Sequence, residues 1–426
     1  MTPAVTLPEQ RPSEGASAQA SSAAACRSQV RDALGQLGGG GPPHRRASAG
    51  SPPLSEAAAL SSAFPASLAQ AERFEYDGVA YDRPRYSVPQ VKKAGEQLRQ
   101  DQASYEDLEI IGNWRSSHAL PLLAFRITLS NWGHQVQKDV LISQRLKRLT
   151  SISSKLKRIR RLRLSTIQDI GGCRAVLSSE RRARSLYERY LEGGLTHELV
   201  RYQNYVDEPK ESGYRGFHLI YAYKGRESTV VYDGMLIEIQ IRSAGQHAWA
   251  TAVETVDIFT RQALKSSMGS PEWDEFFKLM ASYIAQKEQC PAVPGTPSSK
   301  AKLKTQIRKC QKNVQALRRL HDFRQITTEF DTEAVRKATS ERFPQYFLLE
   351  VRPDDLKIMV SAYKNAALPT AEQHYLATER KILSEKANSD AVLVSVSKLN
   401  NLRKAYPSYY GDTDLFMEII KEAIAT

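Results

Sequence analysis

From Ile237 to Arg242 apolar and polar residues alternate strictly. Ile237, Ile239 and Ile241 point to one side of a strand, and Glu238, Gln240 and Arg242 to the other. Such a strand buries one face and either opens the second to solvent or lines a polar site with it. A shorter apolar run, Ala175 to Leu177, predicts a buried strand from Arg174, preceded by Asp169 and the pair Gly171-Gly172. Further strands are expected near 197–202, 217–223, 229–232 and 235–242, with a helix at 179–191 that Gly193-Gly194 ends. Another helix begins near Ser243 and carries Gln246, His247, Trp249 and Glu254.

Upstream the period changes to that of helices. Ser87 with Pro89 marks one start, and Ser104-x-x-Asp107 forms a capping box ahead of Leu108, Ile110, Ile111 and Trp114. Pro121 opens a third helix with Leu122, Phe125, Leu129 and Trp132 on its apolar side. His118 and His134 have no paired ligand and read as packing or surface histidines. Downstream, a helical segment runs to Pro291, a linker covers 291–299, and Lys300 to Leu320 is a basic helix. A hairpin is expected from Tyr346–Val351 and Leu356–Ala362 around Pro353-Asp354-Asp355, then a helix at Ala371–Ala387, a strand at Ala391–Val396 and a helix at Asp414–Ala425.

The domain reading follows. Residues 1–70, rich in Ala, Ser, Pro and Gly, cannot bury enough apolar surface to offset their ordering entropy and are expected to be disordered. Residues 85–140 form a helical lead-in, 141–262 an α+β domain with a mixed sheet of about five strands flanked by helices, and 263–329 a helical segment with its linker. Residues 330–426 read as a separate small α+β domain of unassigned role.

Charge sharpens the picture. Sixty Lys and Arg against forty-seven Asp and Glu leave +13, which favours polyanionic partners and says nothing of fold. Residues 140–168 hold nine cations and no acid: Arg145, Lys147, Arg148, Lys155, Lys157, Arg158, Arg160, Arg161 and Arg163. Ile152, Leu156 and Ile159 recur at helical spacing there, with Thr150 or Ser151 as the cap, so the other half of the helix is cationic. That density calls for anions, and phosphate binding is expected. The four cysteines are scattered without a CxxC pair, which speaks against structural zinc and a disulfide framework and suits a reducing compartment. Without a run of about 18 apolar residues or a signal-peptide order, the expectation is a cytoplasmic protein that does not span a membrane.

Arg145-x-Lys147, Ser151, Lys155, Asp169, Arg174, the run Pro-Lys-x-x-Gly-Tyr-x-x-x-His at 209–218, and Glu238-x-Gln240-x-Arg242 occur in this order. Together they resemble the synthetase domain of RelA/SpoT enzymes, over roughly Gln144 to Phe259. The resemblance implies a nucleotidyltransferase-like sheet and transfer of pyrophosphate from ATP to the ribose 3′-hydroxyl of GDP or GTP, giving ppGpp or pppGpp. It implies Mg²⁺ held by Asp169 and Glu238, with Glu238 also linked to hydroxyl activation. Arg145, Lys147, Ser151, Lys155 and Arg174 would hold ATP. Lys210, Ser212, Tyr214, His218, Gln240 and Arg242 would hold the acceptor, with Tyr214 stacked on the base and Lys210 and His218 at its phosphates and ribose.

Two positions depart from the family's usual pattern. Ser212 stands where Asn is common, and Ser243 follows Arg242 where Thr is common. The first leaves the acceptor open: some toxic relatives pyrophosphorylate the tRNA 3′ end, and others adenosine nucleotides. A different class of reading, a catalytically silent nucleic-acid-binding protein, would use the 145–163 cations but has no need of paired acids among them. His321-Asp322 is shared with metal-dependent phosphohydrolases but lacks the further ligands such a site needs. The expected molecule is a stand-alone synthetase, compatible with a homo-oligomer.

Overall fold

In a computed structural model of the chain, the residues described are 73–76, 79–264, 271–328, 344–352, 357–364, 367–385, 389–395, 402–403 and 406–425. The 1–70 extension and the turn at Pro353-Asp354-Asp355 lie outside them.

The chain enters through a short antiparallel pair, β1 (Arg73–Tyr76) and β2 (Val79–Asp82), followed by α1 (Val88–Arg99), α2 (Tyr105–Ser116) and α3 (Ala119–Val136). The start of α2 is a reciprocal box, with Asp107 N–H donating to Ser104 Oγ at 3.1 Å and Ser104 N–H to Asp107 Oδ2 at 2.9 Å. Then come β3 (Leu141–Leu146), α4 (Leu149–Arg158), β4 (Gly171–Leu177), α5 (Glu180–Leu191), β5 (Glu198–Asn204), β6 (Phe217–Ala222) and β7 (Leu236–Ser243). Helices α6 (Ala244–Leu264), α7 (Pro271–Lys287), α8 (Lys300–Val314) and α9 (Ala316–Thr328) precede β8 (Pro344–Arg352), β9 (Lys357–Lys364), α10 (Leu368–Glu385), β10 (Asp390–Ser395) and α11 (Asp414–Ile424).

Eight strands make one sheet in the order β5-β6-β7-β4-β3-β10-β8-β9. Its β4–β7 ladder is parallel and the other pairings are antiparallel, so the sheet is mixed, as expected for this α+β chain. The alternation in β7 behaves as expected. Ile237, Ile239 and Ile241 join Cys173, Ala175, Leu177, Leu219 and Tyr221 on a face covered by Leu122, Phe125 and Leu129 of α3 and by Leu186, Tyr187 and Tyr190 of α5. The opposite face is polar in the middle and turns apolar towards β8, where Phe347, Leu349, Val392 and Val394 pack on Tyr406, Tyr409 and Tyr410. A second core joins α6, α7, α8 and α11 through Trp249, Phe276, Phe277, Met280, Leu303, Phe416 and Ile420.

Three expectations change. Strand β3 falls inside the stretch read as basic, because Ser143, Gln144 and Arg145 blur its alternation, yet it is central, paired to both β4 and β10. Residues 229–232 form a 3₁₀ turn (Glu227–Tyr232) instead of a strand. Thr229 Oγ1 accepts from Arg226 N–H at 2.8 Å and donates back to Arg226 O at 2.8 Å, and this local closure outweighs the β-propensity of Val230 and Val231. Finally, 330–426 is not a separate sheet. β10 pairs with β3 through Val394↔Arg145 and Ser395↔Gln144, so the C-terminal strands extend the sheet from about five strands to eight.

Candidate active site

The sheet register gathers the expected side chains. Arg145 of β3 lies opposite Gly172 of β4, which lies opposite Glu238 of β7. One row along, Arg174 lies opposite Gln240, and Gln240 opposite His218 of β6. Residues opposed in a ladder share a face, so Arg145, Arg174, His218, Glu238, Gln240 and Arg242 all project from the polar side. Asp169 reaches this side from the turn before β4, Lys147 from the end of β3 and Lys155 from α4, where Ser151 lies one turn earlier on the same helix face.

Asp169 is clamped. Lys147 Nζ donates to Oδ2 and Lys155 Nζ to Oδ1, each at 2.8 Å. Burial alone would raise its carboxyl, but the two ammonium groups outweigh it and hold the group down at about 2. Glu238 is also held below the usual carboxylate range. Burial opposes this, while the imidazole of His218 and the amide of Gln240 favour the anion, and the charge of Asp169 works against it. That mutual influence marks the two carboxylates as electrostatic neighbours. Gln240 Nε2 donates to Glu238 Oε2 at 2.6 Å, and His218 Nδ1 lies 2.8 Å from Oε1.

Tyr214 comes from the 209–216 loop, which Gly213 allows. Its φ of +92° suits glycine, and a Cβ there would meet Ala281 Cβ of α7 at 2.7 Å, so the loop lies directly on that helix. Tyr214 Oη accepts from Arg242 Nη2 at 2.6 Å and lies 2.6 Å from His218 Nε2. Burial would raise this phenol, but Arg242 and His218 bring it down to about 8. Lys210 Nζ stands 4.9 Å from the Tyr214 ring centre and 4.3 Å from that of Tyr205. Ser212 touches the same loop weakly, its Oγ 3.5 Å from Tyr214 N.

Residues 144–258 match the model of a region found in RelA / SpoT proteins. The match takes in every strand residue of the polar face named above. GTP pyrophosphokinase YjbM of Bacillus subtilis (strain 168) is 32% identical to it over 112 residues, covering 26% of this chain and 52% of that protein. The chain thus spans about half the length of this curated relative. Among solved structures, small alarmone synthetase 1 from Bacillus subtilis bound to its product pppGpp aligns at a TM-score of 0.34 and 22% identity, over 40% of this chain and 89% of that one. Small alarmone synthetase 2 from the same organism aligns at 0.34 and 21%, over 43% and 95%.

Within the matched region the guanidiniums crowd. Burial, then Arg242 and Arg145, push Arg174 down to about 10, and the Nε atoms of Arg174 and Arg242 have no hydrogen-bond partner among the described residues. Buried donors without acceptors are what an anion would satisfy. One anion is already present, a residue that the sequence placed on the helix after Ser243 without a site role. Glu254 of α6 is kept ionised against burial by Arg145, Arg148 and Arg174. Its signal was a lone acid on the apolar stretch Ala252 to Val256.

The C-terminal segment closes the flank of the region. Tyr406 Oη donates to Gln144 O, Arg148 pairs with Asp390, and the Arg148 guanidinium stands 5.8 Å from the Tyr409 ring centre. The expected cap of α4 at Thr150 or Ser151 is replaced from afar. The N-cap is Arg148, and the N–H of Leu149 donates to Glu379 Oε1 of α10 at 2.7 Å, while Arg115 donates to Oε2 at 2.6 Å. His321 and Asp322 lie exposed on α9, and Asp322 faces Arg318 at 3.9 Å. No group of three or more His, Cys, Asp or Glu forms a metal cage among the described residues, and no helix there is long and apolar enough to cross a membrane.

Proposed function

We propose that the region transfers the β,γ-pyrophosphate of ATP to the 3′-hydroxyl of GDP or GTP. The bond from O3′ to the β-phosphorus forms, the bond from the β-phosphorus to the bridging oxygen of the α-phosphate breaks, and AMP leaves. The hydroxyl proton passes to Glu238. The observation that carries this reading is the polar sheet face itself. Two ionised carboxylates sit there in mutual influence, one of them clamped by lysines, among guanidiniums with donors to spare.

This donor set suits a divalent cation, since Asp169 is ionised and already draws a cation to each oxygen. Asp169 and Glu238 would hold Mg²⁺, which when bound neutralises charge on the phosphates. Lys147, Lys155 and Arg174 would turn to the donor phosphates, and Arg145 offers a guanidinium plane to adenine. Tyr214, ringed by Tyr205, Trp249 and Lys210, would carry the acceptor base, with Ser212, Gln240 and Arg242 beside it. Such substrates suit a cytoplasmic enzyme.

Incubation of the purified chain with γ-labelled ATP and GDP, GTP, AMP or tRNA tests the reading. Label is expected on GDP or GTP, and Glu238→Gln should abolish it. A second reading has its own observation: Arg158, Arg160, Arg161 and Arg163 are all exposed beyond the donor contacts. That surface fits the backbone of a tRNA acceptor, and label on tRNA alone would favour it.

A further inference from the structure

We propose that His218 is the positioning residue of Glu238, and that it ties the seating of the acceptor base at Tyr214 to the orientation of that carboxylate. This rests on the transfer reading above and adds a role that acceptor contact alone does not include.

Both ring nitrogens of His218 are engaged within the protein. Nδ1 meets Glu238 Oε1 at 2.8 Å and Nε2 meets Tyr214 Oη at 2.6 Å. Arg242 Nη2 donates to the same phenol oxygen at 2.6 Å. Three hydrogen bonds thus run in series through the ring. Arg242 donates to Tyr214 Oη, one proton joins that oxygen to Nε2, and the Nδ1 N–H donates to the carboxylate. The ring cannot turn freely, because Tyr205 and Tyr214 stand edge-on to it at 5.2 and 5.5 Å between centres. His218 reaches Glu238 on a diagonal, since its register partner is Gln240, which itself holds the other carboxylate oxygen at 2.6 Å. Glu238 is therefore gripped at both oxygens, and one grip runs to the residue that would hold the base. Groups that orient a reactive carboxylate in this way commonly matter by roughly 10–100-fold.

The test separates positioning from binding. His218→Ala should lower kcat by roughly 10–100-fold while the acceptor KM moves less than about threefold. His218→Asn, whose amide can donate to Glu238, should recover most of that loss. Tyr214→Phe keeps the ring and cuts the chain, so kcat should fall about fivefold with KM nearly unchanged. A His218→Ala effect confined to KM, a silent Tyr214→Phe, or an Asn variant no better than Ala would overturn the proposal. Imidazole ¹⁵N shifts of the uncatalysed protein read the link without turnover. The Nδ1 signal should move in Glu238→Gln and the Nε2 signal in Tyr214→Phe, and signals blind to both changes would also overturn it. Failure of wild type to label any acceptor would instead sink the transfer reading, with the shifts still reporting the link.

Discussion

Asp169→Asn is the substitution whose cost the geometry sets most directly. The change keeps shape and removes one charge between two ammonium groups, each 2.8 Å away. The side chains of Asp169, Lys147 and Lys155 are 21%, 14% and 24% exposed, so solvent screens the cluster only in part. A carboxyl held at about 2 against an ordinary 3.8 is favoured as an anion by about 2 kcal/mol, at ~1.4 kcal/mol for each tenfold step. The swap is therefore not structurally neutral: at pH 7 the variant should be less stable by about 2 kcal/mol. Because the folded carboxyl titrates below the unfolded one, this advantage of the wild type is full above about pH 5 and fades as pH falls toward about 2. Urea unfolding of both proteins at pH 7 and near pH 2.5 measures it, and groups common to both cancel in the comparison. Equal midpoints at pH 7, or a gap that persists undiminished at low pH, would refute the clamp. Transfer should also vanish in the variant at urea-free conditions where it remains folded, which separates lost chemistry from lost structure.

Three further outcomes are expected. Tyr214→Ala should raise the acceptor KM by roughly 5- to 150-fold and leave that for ATP nearly unchanged, as loss of a stacked base would; steady-state kinetics with each substrate varied decides it. Arg160→Glu/Arg161→Glu should barely alter nucleotide transfer, whereas tRNA labelling, if it occurs, should fall steeply and lose salt dependence. Glu379→Ala should destabilise the chain by about 3–5 kcal/mol, because Arg115 is buried and would lose its partner at 2.6 Å. Glu379→Gln, which keeps an acceptor for Leu149 N–H, should cost less in the same denaturation assay.

What the residues alone could determine was local. The alternation at 237–242 placed Glu238, Gln240 and Arg242 on one face, and the capping box at Ser104-Asp107 started α2 where it is found. Period and capping involve neighbours a few positions apart, so they are written in the chain itself. The cations at 145, 147 and 155 were visible by type, but their partner was not. That Lys147 and Lys155 both close on Asp169 depends on how β3, α4 and the turn before β4 pack together.

The rest depended on contacts between distant segments. Strand β3 was hidden because Arg145 serves the site while Gln144 falls on the apolar side, which erases the pattern that would reveal a strand. Its pairing with β10 joins residues about 250 positions apart, and no local period records that choice. Glu254, Tyr406 and Tyr409 reach the guanidiniums only once α6 and the C-terminal segment are laid over the polar face. The cap of α4 is of the same kind. Its backbone N–H needed an acceptor, the nearby hydroxyls did not supply it, and the tertiary structure met the need with Glu379, 230 residues away.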